Sequence, residues 1–301
     1  MGIAFHGCFC FPFLKTYLRQ LTKMNKLLKF FLPVFLLAAC GGTSATPDDE
    51  EDVPLPAPKE ITVKVMSYNI HIGNPPSKPA DYRDLEAVAN VINIQKPDLV
   101  ALQEVDVNTK RSGTTVDQAK ELARLTGMHY FYTKAIDYQG GQFGDAVLSR
   151  LPILESKRYE LPVTTQLGGE TRSVAMVTVE KEGHKFLFAS THLDHLGPED
   201  NRILQANELV KIVKNLPLPL IIAGDLNAQP TSTTMNILFQ QLGSGCPAAC
   251  PPTFPAVTPT RTIDYILLHP MNKFSVKNFR TITETYASDH LPLVAEIQLK
   301  K

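Results

Sequence analysis

The chain contains no tryptophan, and its 30 lysines and arginines are balanced by 30 aspartates and glutamates. A tight nucleic-acid binder carries an excess of basic charge, often interleaved with aromatic rings on which bases stack. Neither feature is present, so the composition weighs against that partner, though a local basic groove can sit on a neutral body. No tight metal-type cluster occurs among the five cysteines. No apolar run reaches the roughly 20 residues that a membrane-spanning helix needs. No internal repeat is visible. With 44% hydrophobic and 20% charged residues, whole-chain disorder, collagen and coiled coil are excluded. The 301 residues suffice for one large domain or two small ones with a sizeable core.

The charge is unevenly spread. Residues 1–39 carry Lys15, Arg19, Lys23, Lys26 and Lys29 and no acid, whereas residues 48–52 are Asp48, Asp49, Glu50, Glu51 and Asp52. From Met24 the chain reads MNKLLKFFLPVFLLAACGG. Lys26 and Lys29 form a positive n-region, Phe30 to Leu37 a short apolar h-region, and Leu37-Ala38-Ala39 sets small residues before Cys40. This order resembles a bacterial lipobox, in which Cys40 becomes the lipidated first residue. The expectation is an exported bacterial lipoprotein, in the outer membrane or at the cell surface, held to the membrane through Cys40. An uncleaved anchor and an apolar core helix are the competing readings. Residues 1–39 then comprise an upstream extension, Met1 to Lys23, and the signal peptide. Residues 40–59 form an acidic, proline-rich tether. Its acidic run resembles a surface-export signal, and a plain charged linker explains it equally well. In an oxidising compartment Cys246 and Cys250 can close a small disulfide loop in a proline-rich surface segment.

The remaining residues, 60–301, mix helices with many short strands. Ile61, Val63 and Val65 alternate with polar residues, which predicts a strand. Asp81 can cap a helix with Leu85, Val88, Ala89 and Ile92 on one face, ended by Pro97. Asp98 to Leu102 is a buried strand; Val116, Ala119, Leu122 and Ala123 mark a helix closed by Gly127. Strands are predicted at Asp145–Ser149, Ser173–Val179, Lys185–Thr191, Leu220–Ala223, Ile263–Leu268 and Leu291–Leu299. A third helix covers Asn201–Leu216, and Thr231 can cap a fourth. Glu182-Gly183 is a tight turn between neighbouring strands. This mixture predicts two sheets with helices packed outside them, not a purely parallel order.

One pattern repeats. An apolar strand ends, and a carboxylate, amide or imidazole follows at once: Asn69 after MSY, Glu104 after LVALQ, His192 with Asp194 and His195 in STHLDH, Asp225 and Asn227 in GDLN. Asp264 stands at the head of the strand DYILL, and Asp289 and His290 precede the last strand. A core has no use for these groups, since each buried without a partner costs about 1–3 kcal/mol. Taken singly, any of them can be a turn residue or cap; the ordered set points to one shared rim.

The segments MSYNIHIG, DLVALQEVD, GDAVLSR, STHLDH, GDLNAQP, TIDYILL and SDHLPLVAEI resemble, in order, the endonuclease/exonuclease/phosphatase superfamily, and they span Ile61 to Leu299. The resemblance implies an α/β fold, a four-layer α/β/β/α sandwich of the deoxyribonuclease type with one active site at one end. It implies hydrolysis of phosphate esters with a divalent cation: Mg²⁺, with Mn²⁺ or Ca²⁺ as alternatives. Oxygen-rich ligands suit Mg²⁺, whereas thiolates or several imidazoles suit zinc. By the same resemblance Glu104 is the principal metal ligand, with Asn69 beside it and Asp289 helping directly or through water. Asp225 orients or deprotonates the attacking water, and Asn227 holds the phosphate or the nucleophile. His290 contacts the scissile phosphate and is oriented by Asp264, with His192 on the other side.

Arg172 is either a phosphate clamp or one half of a surface salt bridge. His71 and Asp145 are further candidates for substrate contact; His71 shares the face of Asn69 if the strand continues. Asp194 and His195 are either further site residues or simply a local hydrogen-bonded turn. The expected partner is a phosphate-ester substrate, small or lipid-like, with a secreted or surface nuclease as second choice, and the chain is expected to be a monomer. A zinc hydrolase is disfavoured because Ser190 occupies the first histidine position of the H-x-H-x-D-H pattern. A catalytically idle binding module is disfavoured because the full polar set is retained.

Overall fold

The computed structural model describes residues 60–300 except 165 and 167. The expected signal peptide, Cys40 and tether lie outside the described residues. Alternation along the strands decides the architecture. In β1 (Ile61–Asn69), Val63 and Val65 face one apolar cluster while Met66 and Tyr68 face another. In β2 (Leu99–Val107), Leu99 and Ala101 take the first side, Val100 and Leu102 the second. A strand covered on both faces needs apolar residues pointing both ways; β2 opens with such a run, Leu99 to Leu102, whereas β1 alternates with polar residues until Val65 and Met66.

Between them lies α1 (Leu85–Gln95), and after β2 comes α2 (Gln118–Thr126). Both helices bury their apolar faces against the Met66 side of the sheet. The chain continues through β3 (His129–Tyr138), β4 (Gly141–Ser149), β5 (Ile153–Leu161), β6 (Arg172–Lys181) and β7 (His184–His192). Then follow α3 (Asp200–Lys214), β8 (Leu220–Asp225), α4 (Thr233–Leu238), β9 (Gly243–Ser244), β10 (Asp264–His269), β11 (Phe274–Thr281) and β12 (Leu293–Leu299).

Two six-stranded sheets result, ordered β11-β12-β1-β2-β4-β3 and β5-β6-β7-β8-β10-β9. They share a central core of Val63, Val65, Leu99, Phe186, Phe188, Ile221 and Ile266. The outer face of the second sheet is covered by α3 and α4 through Leu187, Ala206, Leu209, Leu220, Ile222 and Met235. The four-layer α/β/β/α sandwich expected from the sequence is the observed fold.

Each sheet is centred on one parallel pair, β1 with β2 and β7 with β8, so the carboxyl ends within each pair point the same way. The antiparallel neighbours begin where those strands end: Leu293 of β12 faces Ser67, and Asp264 of β10 faces Asp225. One edge of the sandwich therefore collects strand ends from β1, β2, β7 and β8 and strand starts from β10 and β12.

Some boundaries differ from expectation. Asp84, not Asp81, caps α1, accepting from Ala87 N at 2.9 Å. Ser232, not Thr231, caps α4 through Met235 N at 3.2 Å. In both cases the residue three positions before the bonded N–H wins, because only there does the side chain reach it. Gly127 closes α2 in the left-handed region, and Glu182-Gly183, both at positive φ, turn the β6–β7 hairpin. Cys246 and Cys250 are free thiols, not a disulfide; Cys246 Sγ bonds Ala248 O and Cys250 Sγ lies 3.6 Å from Ser244 Oγ.

Gly224 sets the closeness of β7 and β8 just below the polar edge. A Cβ at this position would stand 1.8 Å from Thr191 O, a backbone atom that cannot swing aside. Gly224→Ala should therefore destabilise the fold by at least about 2 kcal/mol in denaturant unfolding. Unchanged stability would mean that the two strands can separate freely.

Candidate active site

The polar edge is built on a hydrogen-bond chain that crosses from one sheet to the other. Asn69, fully buried at the end of β1, donates through Nδ2 to Glu104 Oε1 at 3.0 Å and to Asp225 Oδ2 at 3.1 Å. Its Oδ1 accepts from His71 N at 3.0 Å. The amide thus offers its N–H groups to the carboxylates and keeps its oxygen for the turn that follows.

Glu104 reaches this position through a bulge. The pairing of β2 with β4 shifts between Leu102 and Val105, and Glu104 sits at φ 57°. An extra residue in one strand re-aims the side chain toward the edge.

On the second sheet Asp225 is the hub. Its Oδ1 accepts from Asn227 N at 2.9 Å. Its Oδ2 lies 3.5 Å from His192 Nε2 and 3.7 Å from His290 Nε2, so the two imidazoles flank it. His290 Nδ1 pairs with Asp264 Oδ2 at 2.9 Å, and Asn227 Nδ2 lies 3.0 Å from His192 Nε2. The ligand atoms of Asp225, Asp264 and His290 all fall within 4.8 Å of one another, a buried cluster that could hold a cation.

Electrostatics separate the two histidines. Burial disfavours a charged ring at both. At His290 the carboxylates of Asp264 and Asp225 outweigh burial and raise the ring to about 10. At His192 burial is reinforced by Arg172 and His290, which hold the ring neutral. Burial, and then the nearby Asp264, raise the carboxyl of Asp225 above its ordinary range.

A cavity of about 330 Å³ opens over these groups. Glu104, Asp225, Asn227, Asp289, His192, His290 and Arg172 line it. Arg172 is buried, which removes the surface salt-bridge reading. Its Nη2 bonds Glu170 and His195, each at 3.1 Å, and its Nε has no protein partner.

Other expected residues stand back from the cavity. Asp145 is buried behind, with Oδ2 accepting from Ser173 Oγ at 3.0 Å and Oδ1 unpartnered. Burial raises its carboxyl to about 8, against the pull of Arg172. His71 is not on the face of Asn69 as a continued strand would place it. The strand stops, His71 and Ile72 take positive φ, and His71 Nδ1 meets Asn74 O, 3.8 Å from Asp289. Asp194 does more than close a local turn: it accepts from Leu196 N two residues on and from Glu170 N just before β6, and Ser190 Oγ is spent inside on Leu102 O.

Sequence reading missed the walls. Arg111 is bidentate to the buried Asp106 and lies 4.3 Å over Tyr138 and 5.1 Å over Phe143. Phe254 stacks near His290 at 4.8 Å between centroids. The only hint in the sequence is Asp106 five residues before Arg111, a spacing too common to single out.

Comparison with known proteins places these features among relatives. A family model described as "Endonuclease/Exonuclease/phosphatase family" matches residues 66–290. Human nocturnin is 25% identical over 241 residues, which cover 67% of this chain and 54% of nocturnin. The chain thus spans about half the length of that relative. The uncharacterized protein YbhP of Escherichia coli K12 is 27% identical over 259 residues, 80% of this chain and 98% of YbhP. The crystal structure of an endonuclease/exonuclease/phosphatase from Beutenbergia cavernae superposes with a TM-score of 0.67 at 25% identity, covering 79% of this chain and 72% of that one.

The Asp264–His290 pair yields a measurable expectation. Ring signals of His290 in wild-type protein should show no titration between about pH 5 and 8, because the folded ring stays protonated until well above that window. Asp264→Asn removes the stronger of the two carboxylate partners and should bring its titration down into that window, followed by NMR. A wild-type ring that titrates near its ordinary value would contradict the pairing.

Proposed function

The chain belongs to the endonuclease/exonuclease/phosphatase family, and on that premise we propose that it is a Mg²⁺-dependent hydrolase of phosphate esters. The proposed substrate is a small molecule or a lipid head group. Members of this family are metal-dependent phosphoesterases, and the hydrolase class follows from membership. The observation that carries the finer reading is the convergence of Glu104, Asp225, His192, His290 and Arg172 on one cavity of about 330 Å³. That size suits one compact ligand, not a duplex lying along a basic groove.

The residues fit a hard cation. Glu104 and Asp289 present half-buried carboxylates to the cavity with water at hand, which is the donor chemistry magnesium prefers. Asn69 in its present orientation positions Glu104 instead of offering its oxygen. The cation, when bound, supplies positive charge against the phosphoryl oxygens.

The protein groups then divide the work. Asp225 accepts a proton from the attacking water, and its raised proton affinity suits that task near neutral pH. His290, charged and oriented by Asp264, donates through Nε2 to the phosphoryl oxygen on which negative charge builds. His192, kept neutral, stands across Asp225, and Asn227 holds the nucleophile or the phosphate. Arg172, buried in the cavity wall, sets its positive charge beside the phosphate. Asp145 steadies Arg172 electrostatically from behind, and His71 braces Asp289, so both act on the substrate indirectly.

Two features argue against zinc chemistry: Ser190 is committed to the interior, and Asp194 to the backbone N–H groups of Glu170 and Leu196. We further propose that the chain is exported and anchored through Cys40, which brings the cavity near lipid head groups.

Asp225→Asn should keep the fold and lower kcat by at least about 100-fold on any ester that the wild type hydrolyses. Glu104→Gln should instead raise the Mg²⁺ concentration at half-maximal rate. The deciding assay is a panel of DNA, RNA, phospholipid and inositol phosphates with Mg²⁺ against EDTA. Preference for DNA or RNA would support the nuclease reading, and inertness toward all four would support a binding module. Cys40→Ala should move the protein from the detergent phase to the aqueous phase; unchanged partitioning would contradict the lipid anchor.

A further inference from the structure

Three arginines line the catalytic cavity, and they differ in how their charge is answered. Arg111 is neutralised by a bidentate pair with the buried Asp106. Arg172 is answered by Glu170 at 3.1 Å. Arg261 has no carboxylate partner among the described residues. Its guanidinium instead lies 4.5 Å over the ring of Phe254, the ring that also stacks near His290.

The segment that carries it is rigidly folded. Phe254 and Arg261 form an antiparallel bridge, with Arg261 N donating to Phe254 O at 2.9 Å and Phe254 N to Arg261 O at 3.1 Å. Ala256 N donates to Asp289 O at 2.7 Å, and Leu291 N to Thr253 O at 2.8 Å. This loop is therefore tied on both sides of His290. A guanidinium held over an aromatic face by its charge still has N–H groups to offer a planar or tetrahedral oxyanion. In the proposed mechanism Arg172 and His290 serve the scissile phosphate, so Arg261 is surplus to it.

We propose that Arg261 binds a second anionic group of the same substrate, a few atoms from the scissile phosphate. The substrate class is then a compact phosphate ester with two anionic groups, seated between the Arg261–Phe254 shelf and the Arg111–Tyr138 wall. This inference rests on the hydrolase reading above for the position of the scissile group.

Binding is measured by calorimetry in EDTA, where turnover cannot intrude, with fructose bisphosphate and fructose monophosphate as probes. Wild-type protein should bind the bisphosphate at least about 10-fold more tightly, as one charge-assisted contact allows. Arg261→Gln should bring that ratio close to one, and Arg261→Lys, which keeps the charge but loses the fork, should leave it in between. A wild-type ratio near one, no detectable binding of either sugar phosphate, or an Arg261→Gln ratio equal to wild type overturns the proposal. Hydrolysis with Mg²⁺ is scored separately. A preserved binding ratio without turnover of any ester would sink the hydrolase reading and leave the Arg261 site standing.

Discussion

The Asn69 amide is the joint on which the functional edge depends. Deeper in the sandwich the two sheets meet through Val63, Val65, Phe186 and Phe188, which place no demand on angle or register beyond close packing. Toward the edge the contact turns polar. Gln103 Nε2 donates to Ser190 Oγ at 2.9 Å, and Ser190 Oγ to Leu102 O at 2.9 Å. Asn69 then links Glu104 of the first sheet to Asp225 of the second. Buried polar groups are costly unless satisfied, so this network selects one alignment of the sheets. A slip of one residue in β1 would turn Asn69 toward the helices and strand both carboxylates.

That joint brings together charges that repel. Glu104, Asp225, Asp264 and Asp289 gather at one end of the sandwich, where like charges held close repel one another. The protein answers part of this with His290, which Asp264 and Asp225 hold charged. The buried Arg172 answers another part, near Asp145 and His192. Among the described residues Glu104 and Asp289 pair with no arginine or lysine, and both face the cavity. A divalent cation there would complete the balance, which is a physical argument for the proposed metal dependence that does not lean on ancestry.

Much of this was legible because the central strands are buried on both faces. Leu99 to Leu102 and Leu220 to Ala223 can only be interior, so a polar residue directly after them has to be at an edge. The order of Asn69, Glu104, His192, Asp225, Asp264 and His290 along the chain therefore carried the site. The strands that escaped notice lie at or near sheet edges. In β5 a run of exposed residues from Leu154 to Arg158 leaves no apolar signature, and β3 and β11 are half-exposed along much of their length. Edge strands form because a neighbour offers hydrogen bonds, and that information lies elsewhere in the chain.

Backbone conformation explains what no pattern could have revealed. Glu104, His71, Ile72 and Asn227 all adopt positive φ, a region that side chains other than asparagine and aspartate avoid. Such residues cost on the order of 1–3 kcal/mol each and persist only where the surroundings over-determine them. Here the surroundings are the hydrogen bonds at Asn69 and Asp225: His71 N is held by Asn69 Oδ1, and Asn227 N by Asp225 Oδ1. The same side chains that join the sheets thus force the chain to turn immediately beyond β1 and β8. Those turns clear the space above the carboxylates, and the loops bearing Arg111 and Phe254 close around it. The cavity is therefore a consequence of the joint, since relaxing any one turn to ordinary φ would release a donor that the buried carboxylate or amide has no other means to satisfy.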